Sequence, residues 1–172
     1  FEEKSEAFTC GISLSSDEKY YFITTSDHNT SEQYYFESNE EKPKPKLIKK
    51  RKKGIIYSVN SWNGYFYNHT NENAEDFKID ICDDLSNQNW KTYLPPKEEV
   101  LIGGLTFLKN WILRGEISNA LGKIFAKNIE TNIEEEIKFA DEKVIDPGIT
   151  LKQRDRNTDY IHLGYSSPKT QH

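Results

Sequence analysis

The stretch EKYYFITTSDHNTSEQYYFE, residues 18–37, sets two short aromatic runs on either side of a polar middle. Tyr, Phe, Ile and Thr suit the pleated surface of a β-sheet. Asp27, Asn29 and Ser31 are turn formers whose side chains bond nearby backbone groups. The natural reading is strand, turn, strand. The same middle places Ser26, Asp27, His28 and Glu32 within seven positions, the residue types of a hydrolytic triad. Ser26, Asp27 and His28 are consecutive, however, and consecutive side chains do not converge as triad members do. The turn is the reading retained. Glu32 either pairs across strands or faces an internal channel, and the sequence leaves both open.

The pattern recurs. EKYYFITTSD from Glu18, NGYFYNHTNE from Asn63, KNWILRGEIS from Lys109 and NTDYIHLGYS from Asn157 each open with a polar turn and then an aromatic. The anchors Tyr20, Tyr65, Trp111 and Tyr160 are 45, 46 and 49 residues apart. A second strand follows in SEQYYFE, DFKIDIC and GKIFAKN, and a third in KLIKKR, NWKTYL and EIKFAD. A fourth follows in GIIYSVN, VLIGGLTF and PGITLKQ. Four strands every ~45 residues is the signature of a β-propeller blade. One such sheet cannot bury both faces alone, so neighbouring blades cover each other. The expected fold is all-β: a partial β-propeller of about three and a half four-stranded antiparallel blades. Propellers close with about four to eight blades. The chain opens at Phe1 and holds no Met, and the expectation is therefore a piece of a longer reading frame.

Charge is uneven over the 172 residues. KPKPKLIKKRKK, residues 42–53, carries eight Lys or Arg and no acid, which leaves −13 on the remainder of a chain of net charge −5. An acidic body argues against a nucleic-acid-binding surface. The basic run reads as a solvated edge strand whose lysines discourage edge pairing, with Pro43 and Pro45 suited to an outer edge. No apolar run approaches the ~18 residues of a membrane span, and no signal peptide is evident.

Other chemistry finds little support. Cys10 and Cys82 match no metal or redox spacing and read as free thiols. His28, His69, His162 and His172 show no paired ligand spacing. Asp80, Asp83 and Asp84 lack the glycine and terminal Glu of a calcium loop. The sequons at Asn29 and Asn68 read as chance matches in an Asn-rich chain. No G-x-S-x-G elbow occurs: GISLS and GYSSP lack the second glycine, and without an elbow a serine hydroxyl is a poor nucleophile. The sialidase turn S-x-D-x-G-x-x-W is also missing. The expectation is no catalytic residue, no metal and no cofactor, with the substrate-binding residues left unassigned.

With the strands placed, several stretches resemble the oligopeptidase B branch of the prolyl oligopeptidase family of serine peptidases. FEEKSEAFTCGISLSSDEKYYFI resembles its E-E-D-x-F…S-x-D blade entry, and SDHNTSEQY its S-x-T-T-S-E turn. RKKGIIYSV with GYFYNHTNENAEDFKI resembles its R-x-G-x-x-Y…F-Y-I-x-T-N…N-F-x-L stretch. NWKTYLPPKEEVLIGGLTFLKNWILRGE resembles the blade that follows. IHLGYSSPKT resembles L-x-Y-S-S-x-T-T-P, near the end of the propeller. The likeness runs over essentially the whole chain in collinear order.

The resemblance implies a cytosolic two-domain peptidase. In it a seven-bladed propeller caps an α/β-hydrolase domain carrying Ser, Asp and His, and cleavage falls after Arg or Lys in short peptides. On that basis residues 1–172 are expected to be a fragment of the N-terminal propeller domain, without the hydrolase domain. Such a piece gates substrate by size and is inactive alone. Its expected partners are a hydrolase domain, in the same chain or a separate one, and short peptides, with no nucleic acid and no membrane. The alternatives are a non-catalytic propeller interaction module, for which the G-H…W-D pairs are missing, and the remnant of a split or degraded peptidase gene.

Overall fold

The computed structural model describes residues 1–138, 148–150 and 156–164. Every regular element among them is a strand. The chain divides into two compact units, Phe1–Pro96 and Lys97–His172.

The first unit holds two sheets. Sheet I runs β1 (Thr9–Leu14), β2 (Tyr20–Ser26), β3 (Ser31–Glu37) and β4 (Lys46–Lys49). Sheet II runs β5 (Tyr57–Trp62), β6 (Tyr65–Thr70), β7 (Lys78–Cys82) and β8 (Lys91–Leu94). In both, neighbours in sequence are neighbours in space and all pairs are antiparallel. The second unit repeats the plan in sheet III: β9 (Leu101–Phe107), β10 (Trp111–Ser118), β11 (Leu121–Asn128) and β12 (Glu134–Ile137). It adds a two-stranded pair, β13 (Gly148–Thr150) with β14 (His162–Gly164).

Local chemistry explains the hairpins. Asn63 and Gly64, between β5 and β6, sit at φ 50° and 79°. Two consecutive left-handed residues make a primed turn whose twist matches the strands it joins, and Asn-Gly is its preferred sequence. Sheet III bulges between Arg114 and Glu116. There a Cβ on Gly103 would stand 2.9 Å from the Gly115 carbonyl oxygen, so the close approach needs glycine.

Alternation sorts the side chains. Phe22 and Ile48 of sheet I pack with Tyr57, Val59, Phe66 and Cys82 of sheet II, and Tyr20 meets Phe66 edge-on at 5.1 Å. In the second unit Leu113 and Ile124 of sheet III pack with Leu108, and Ile161 and Leu163 cover them. Sheet I thus buries one apolar face against sheet II, and sheet III buries one against the segment that follows it in its unit. At ~25 cal/mol per Å² of apolar surface, this burial is the main drive to fold.

The repeat is confirmed and its phase is corrected. Each sheet begins one strand before its aromatic anchor. GIIYSVN and VLIGGLTF, expected as fourth strands, supply the first strands β5 and β9 of the next sheet. KLIKKR, expected in the third slot, supplies the edge strand β4. The reason is that periodicity fixes spacing, whereas the sheet is cut where the chain crosses between layers. TCGISL is a strand the repeat did not single out. EIKFAD is entered two residues early, at Glu134. Pro43 and Pro45 precede β4 and do not lie in it. Tyr160 precedes β14 and is 87% exposed, so it anchors no core. Of PGITLKQ, only Gly148–Thr150 falls among the described residues; SSPKT and His172 lie outside them.

Phe22→Ala should cost about 3–5 kcal/mol by the cavity rule, and Tyr65→Ala, on a half-exposed aromatic, about 0.5 kcal/mol or less. Urea unfolding of the two variants checks the contrast; equal losses would contradict the packing.

Candidate functional site

The polar middle of residues 24–36 was the one sequence candidate for chemistry, and the structure assigns each member a different role. Asp27 closes the hairpin between β2 and β3. Its backbone N–H donates to the Thr30 carbonyl at 3.0 Å. Its Oδ1 accepts the N–H groups of Asn29 at 2.9 Å and Thr30 at 2.7 Å. Those backbone donors hold its carboxyl below the ordinary range. His28 points to solvent, and Ser26 faces Ser31 across the hairpin. Ser26, Asp27 and His28 do not come together.

Ser31 and Gln33 instead stitch sheet I to sheet II. The Ser31 hydroxyl donates to the Tyr57 carbonyl at 2.7 Å and accepts the Tyr57 N–H at 2.7 Å. Gln33 Oε1 accepts the Val59 N–H at 2.6 Å. The Gln33 N–H donates to the Tyr57 hydroxyl at 2.8 Å, and that hydroxyl in turn donates to the Lys49 carbonyl. Ser31, Gln33 and Tyr57 are all buried. Burial pushes the Tyr57 hydroxyl up to about 12. A second stitch joins the β1–β2 loop to β5: Ser16 N–H to Asn60 Oδ1 at 2.9 Å, and the Ser61 hydroxyl to Asp17 Oδ2 at 2.7 Å.

Glu32 lies on the other face of β3 and is 4% exposed. It accepts the Arg51 N–H at 2.8 Å, the Tyr34 hydroxyl at 2.8 Å and the Arg51 guanidinium at 3.2 Å. Burial pushes its carboxyl up, but these donors outweigh it and the net shift is downward. Arg51 also pairs with Glu3 and lies over the Phe8 ring at 4.1 Å. Glu32 therefore pairs with Arg51, just past the end of β4, a residue of the basic run that reads from sequence as solvent-facing. Lys49 likewise pairs with Glu72, while Lys42, Lys44, Lys46, Lys50, Lys52 and Lys53 are exposed.

The second unit has a knot of the same composition. Arg114, 5% exposed, donates from Nε to Glu116 at 2.8 Å and from both terminal nitrogens to Glu134. Lys97 reaches Glu116 at 2.7 Å, and Arg114 lies over Phe125 at 4.6 Å. Nothing in the sequence beyond two charges in β10 signals it. In both knots the carboxylates are filled by cations, which removes them as general bases and makes them structural.

The remaining candidates are dispersed. His69 stacks on Phe77 at 4.5 Å, and His162 is exposed. Asp80 pairs with Lys78 at 2.9 Å, and Asp84 accepts both Ser86 N–H and hydroxyl at 2.7 Å. Among the described residues no group of three or more His, Cys, Asp or Glu is placed to hold a metal. Cys10 is exposed and Cys82 buried, both free. Burial raises the Cys82 thiol to about 11. Asn68 is 3% exposed, inside β6, which leaves no room for a glycan on the folded chain. Among the described residues no helix is long and apolar enough to cross a membrane.

Comparison with known proteins follows the fold. Residues 1–170 match the family described as prolyl oligopeptidase, N-terminal beta-propeller domain. No curated protein sequence matches the chain. Among solved structures, oligopeptidase B from Trypanosoma brucei with covalently bound antipain, in its closed form, is similar at TM-score 0.87 and 17% identity over 97% of this chain. Oligopeptidase B from Leishmania major is similar at TM-score 0.80 and 15% identity over 96%. Prolyl oligopeptidase B from Galerina marginata, apo protein, is similar at TM-score 0.77 and 15% identity over 96%. The chain spans 25%, 25% and 24% of those structures.

Two results should follow. Ser31→Ala removes a buried donor–acceptor and should cost about 1–3 kcal/mol, while Ser26→Ala and His28→Ala stay within about 0.5 kcal/mol. Glu32 and Glu134 have folded values below the ordinary 4.5, so their contribution is present above that pH and is lost as pH falls through it. Urea midpoints measured down through that range should drop, and Arg51→Met should flatten part of the drop.

Proposed function

The chain belongs to the prolyl oligopeptidase family through its N-terminal β-propeller domain, and from that premise we propose that it is the substrate-gating part of an oligopeptidase B-like serine peptidase. It contributes no bond-making or bond-breaking group of its own. Its proposed partner is an α/β-hydrolase domain, in the same chain or a separate one, and the proposed substrates are short peptides cut after Arg or Lys, in the cytosol.

The observation that carries this reading is the match of residues 1–170 to the propeller domain, on a chain in which Asp27 closes a turn and does not come together with Ser26 and His28. Without a fixed base and oxyanion donors a serine hydroxyl stays unreactive near neutral pH. Steric gating needs none of these groups, only a rigid wall of sheets. The ion-pair knots and buried stitches support rigidity in each unit.

The purified chain should show no turnover of arginyl or lysyl aminomethylcoumarin peptides and no labelling by a fluorophosphonate. Turnover abolished by that reagent would overturn the assignment of an inactive domain. Co-expression with the α/β-hydrolase domain of an oligopeptidase B should give cleavage of short arginyl peptides and none of folded proteins. Equal cleavage of both would overturn gating.

A further inference from the structure

The chain leaves β4 for β5 through five consecutive cations, Lys49, Lys50, Arg51, Lys52 and Lys53. They are of two kinds. Lys49 pairs with Glu72, and Arg51 pairs with Glu3 and Glu32. Lys50, Lys52 and Lys53 are exposed and form no ion pair among the described residues. The carboxylates on Arg51 are turned inward: the side chains of Glu3 and Glu32 are 11% and 5% exposed. What the connection offers to solvent is therefore three ammonium groups.

The backbone beneath them is fixed. The Arg51 N–H donates to Glu32 Oε2 at 2.8 Å, and the Ile55 N–H closes a turn on the Lys52 carbonyl at 2.9 Å. Gly54, at φ 82°, sits third in that turn, where a positive φ favours glycine. Its N–H donates to Thr30 Oγ1 at 3.2 Å, and its carbonyl accepts Asn71 Nδ2 at 3.0 Å. From Lys50 to Lys53 the chain spans at most ~11 Å, about one screening length at 0.1 M salt. The three charges therefore act together on one ligand, and a backbone already ordered lowers the cost of binding it. The lysines at the other end of β4 differ. Lys42, Lys44 and Lys46 follow Glu37, Glu40 and Glu41 in the β3–β4 hairpin, and Lys46 already lies over the Tyr35 ring at 5.8 Å. In β4 itself Gln88 Nε2 donates to the Ile48 carbonyl, and the Tyr57 hydroxyl holds the Lys49 N–H and carbonyl. Those backbone groups are taken, so recognition here falls to side-chain charge.

We propose that Lys50, Lys52 and Lys53 form a docking site for an acidic peptide segment of a partner protein. Two or three neighbouring Asp or Glu side chains of that segment seat on the three ammonium groups. Size decides against a large polyanion. Outside residues 42–53 the chain carries a net −13. A nucleic acid or an anionic membrane extends past the connection and meets that acidic surround, which repels it. A short acidic segment ends before it. The inference rests on this arrangement of charge and not on the peptidase reading.

The test is the fluorescence anisotropy of dye-labelled octaglutamate titrated with the full chain. Octaglutamate should bind at low salt, and more weakly at about 0.15 M salt. The triple variant Lys50→Glu, Lys52→Glu, Lys53→Glu should weaken binding by about tenfold or more. Lys50→Gln, Lys52→Gln, Lys53→Gln repeats the test without added repulsion and should weaken it by about threefold or more. The control Lys19→Glu, Lys91→Glu, Lys109→Glu makes the same change in net charge at exposed lysines elsewhere and should keep affinity within about twofold. Equal losses in the two charge-reversal triples would show an effect of net charge and overturn the proposal. Absence of binding at low salt would overturn it too. So would tighter binding of a dye-labelled thymidine octanucleotide than of octaglutamate, since the site would then belong to nucleic acid. A native chain found dimeric by light scattering, and made monomeric by the reversal at Lys50, Lys52 and Lys53, would assign the site to a second copy and overturn the proposal as well.

Discussion

The Ser31 hydroxyl and the Gln33 amide, buried between sheets I and II, fix what the rest of the first unit can do. A buried backbone N–H or C=O without a partner costs about 1–3 kcal/mol. The edge of β5 exposes such groups toward sheet I, and Ser31 and Gln33 satisfy Tyr57 and Val59 there. Apolar contact among Phe22, Ile48, Val59 and Phe66 supplies most of the free energy but tolerates sliding. Directional bonds to named atoms do not. The stitch therefore sets the offset of one sheet on the next, and the Tyr57 hydroxyl extends it to β4 through the Lys49 carbonyl.

The charged knots act on the opposite requirement. Glu32 and Arg114 are too buried to stay ionised unless paired. Each sits in a cluster of two carboxylates about one guanidinium laid over a phenylalanine ring. Breaking one partner would strand a buried charge, which is why such knots hold their strands in place even where they add little net stability. The proposed gating by a wall of sheets asks for that stiffness and for no reactive group.

Much of this was legible in the sequence. The spacing of Tyr20, Tyr65 and Trp111 shows the repeat, because each aromatic enters the same strand of its sheet. The turn at Asp27 is legible because Asx chemistry is local. What the sequence hid was non-local. Periodicity cannot show where one sheet ends and the next begins, so β5 and β9 read from sequence as the last strands of the preceding sheets instead of the first strands of their own. Glu32 stayed ambiguous because its partner Arg51 lies in a run that looks solvated, and Arg51 in turn pairs with Glu3, 48 residues away. Arg114 gave no signal beyond its charge, since its burial depends on Glu134 across the sheet. Tyr160 misled, because its aromatic position in the repeat carries no packing.

The most direct measurement is native-state hydrogen exchange at the amides of Tyr57 and Val59. Both donate to side chains of the neighbouring sheet and not to a strand partner, so their protection reports the stitch itself. The account predicts that they exchange only by global unfolding, as slowly as the interior amides of β6. Exchange at the rate of local openings, with β6 still protected, would mean that the two sheets separate freely and that the polar stitch does not hold the unit together.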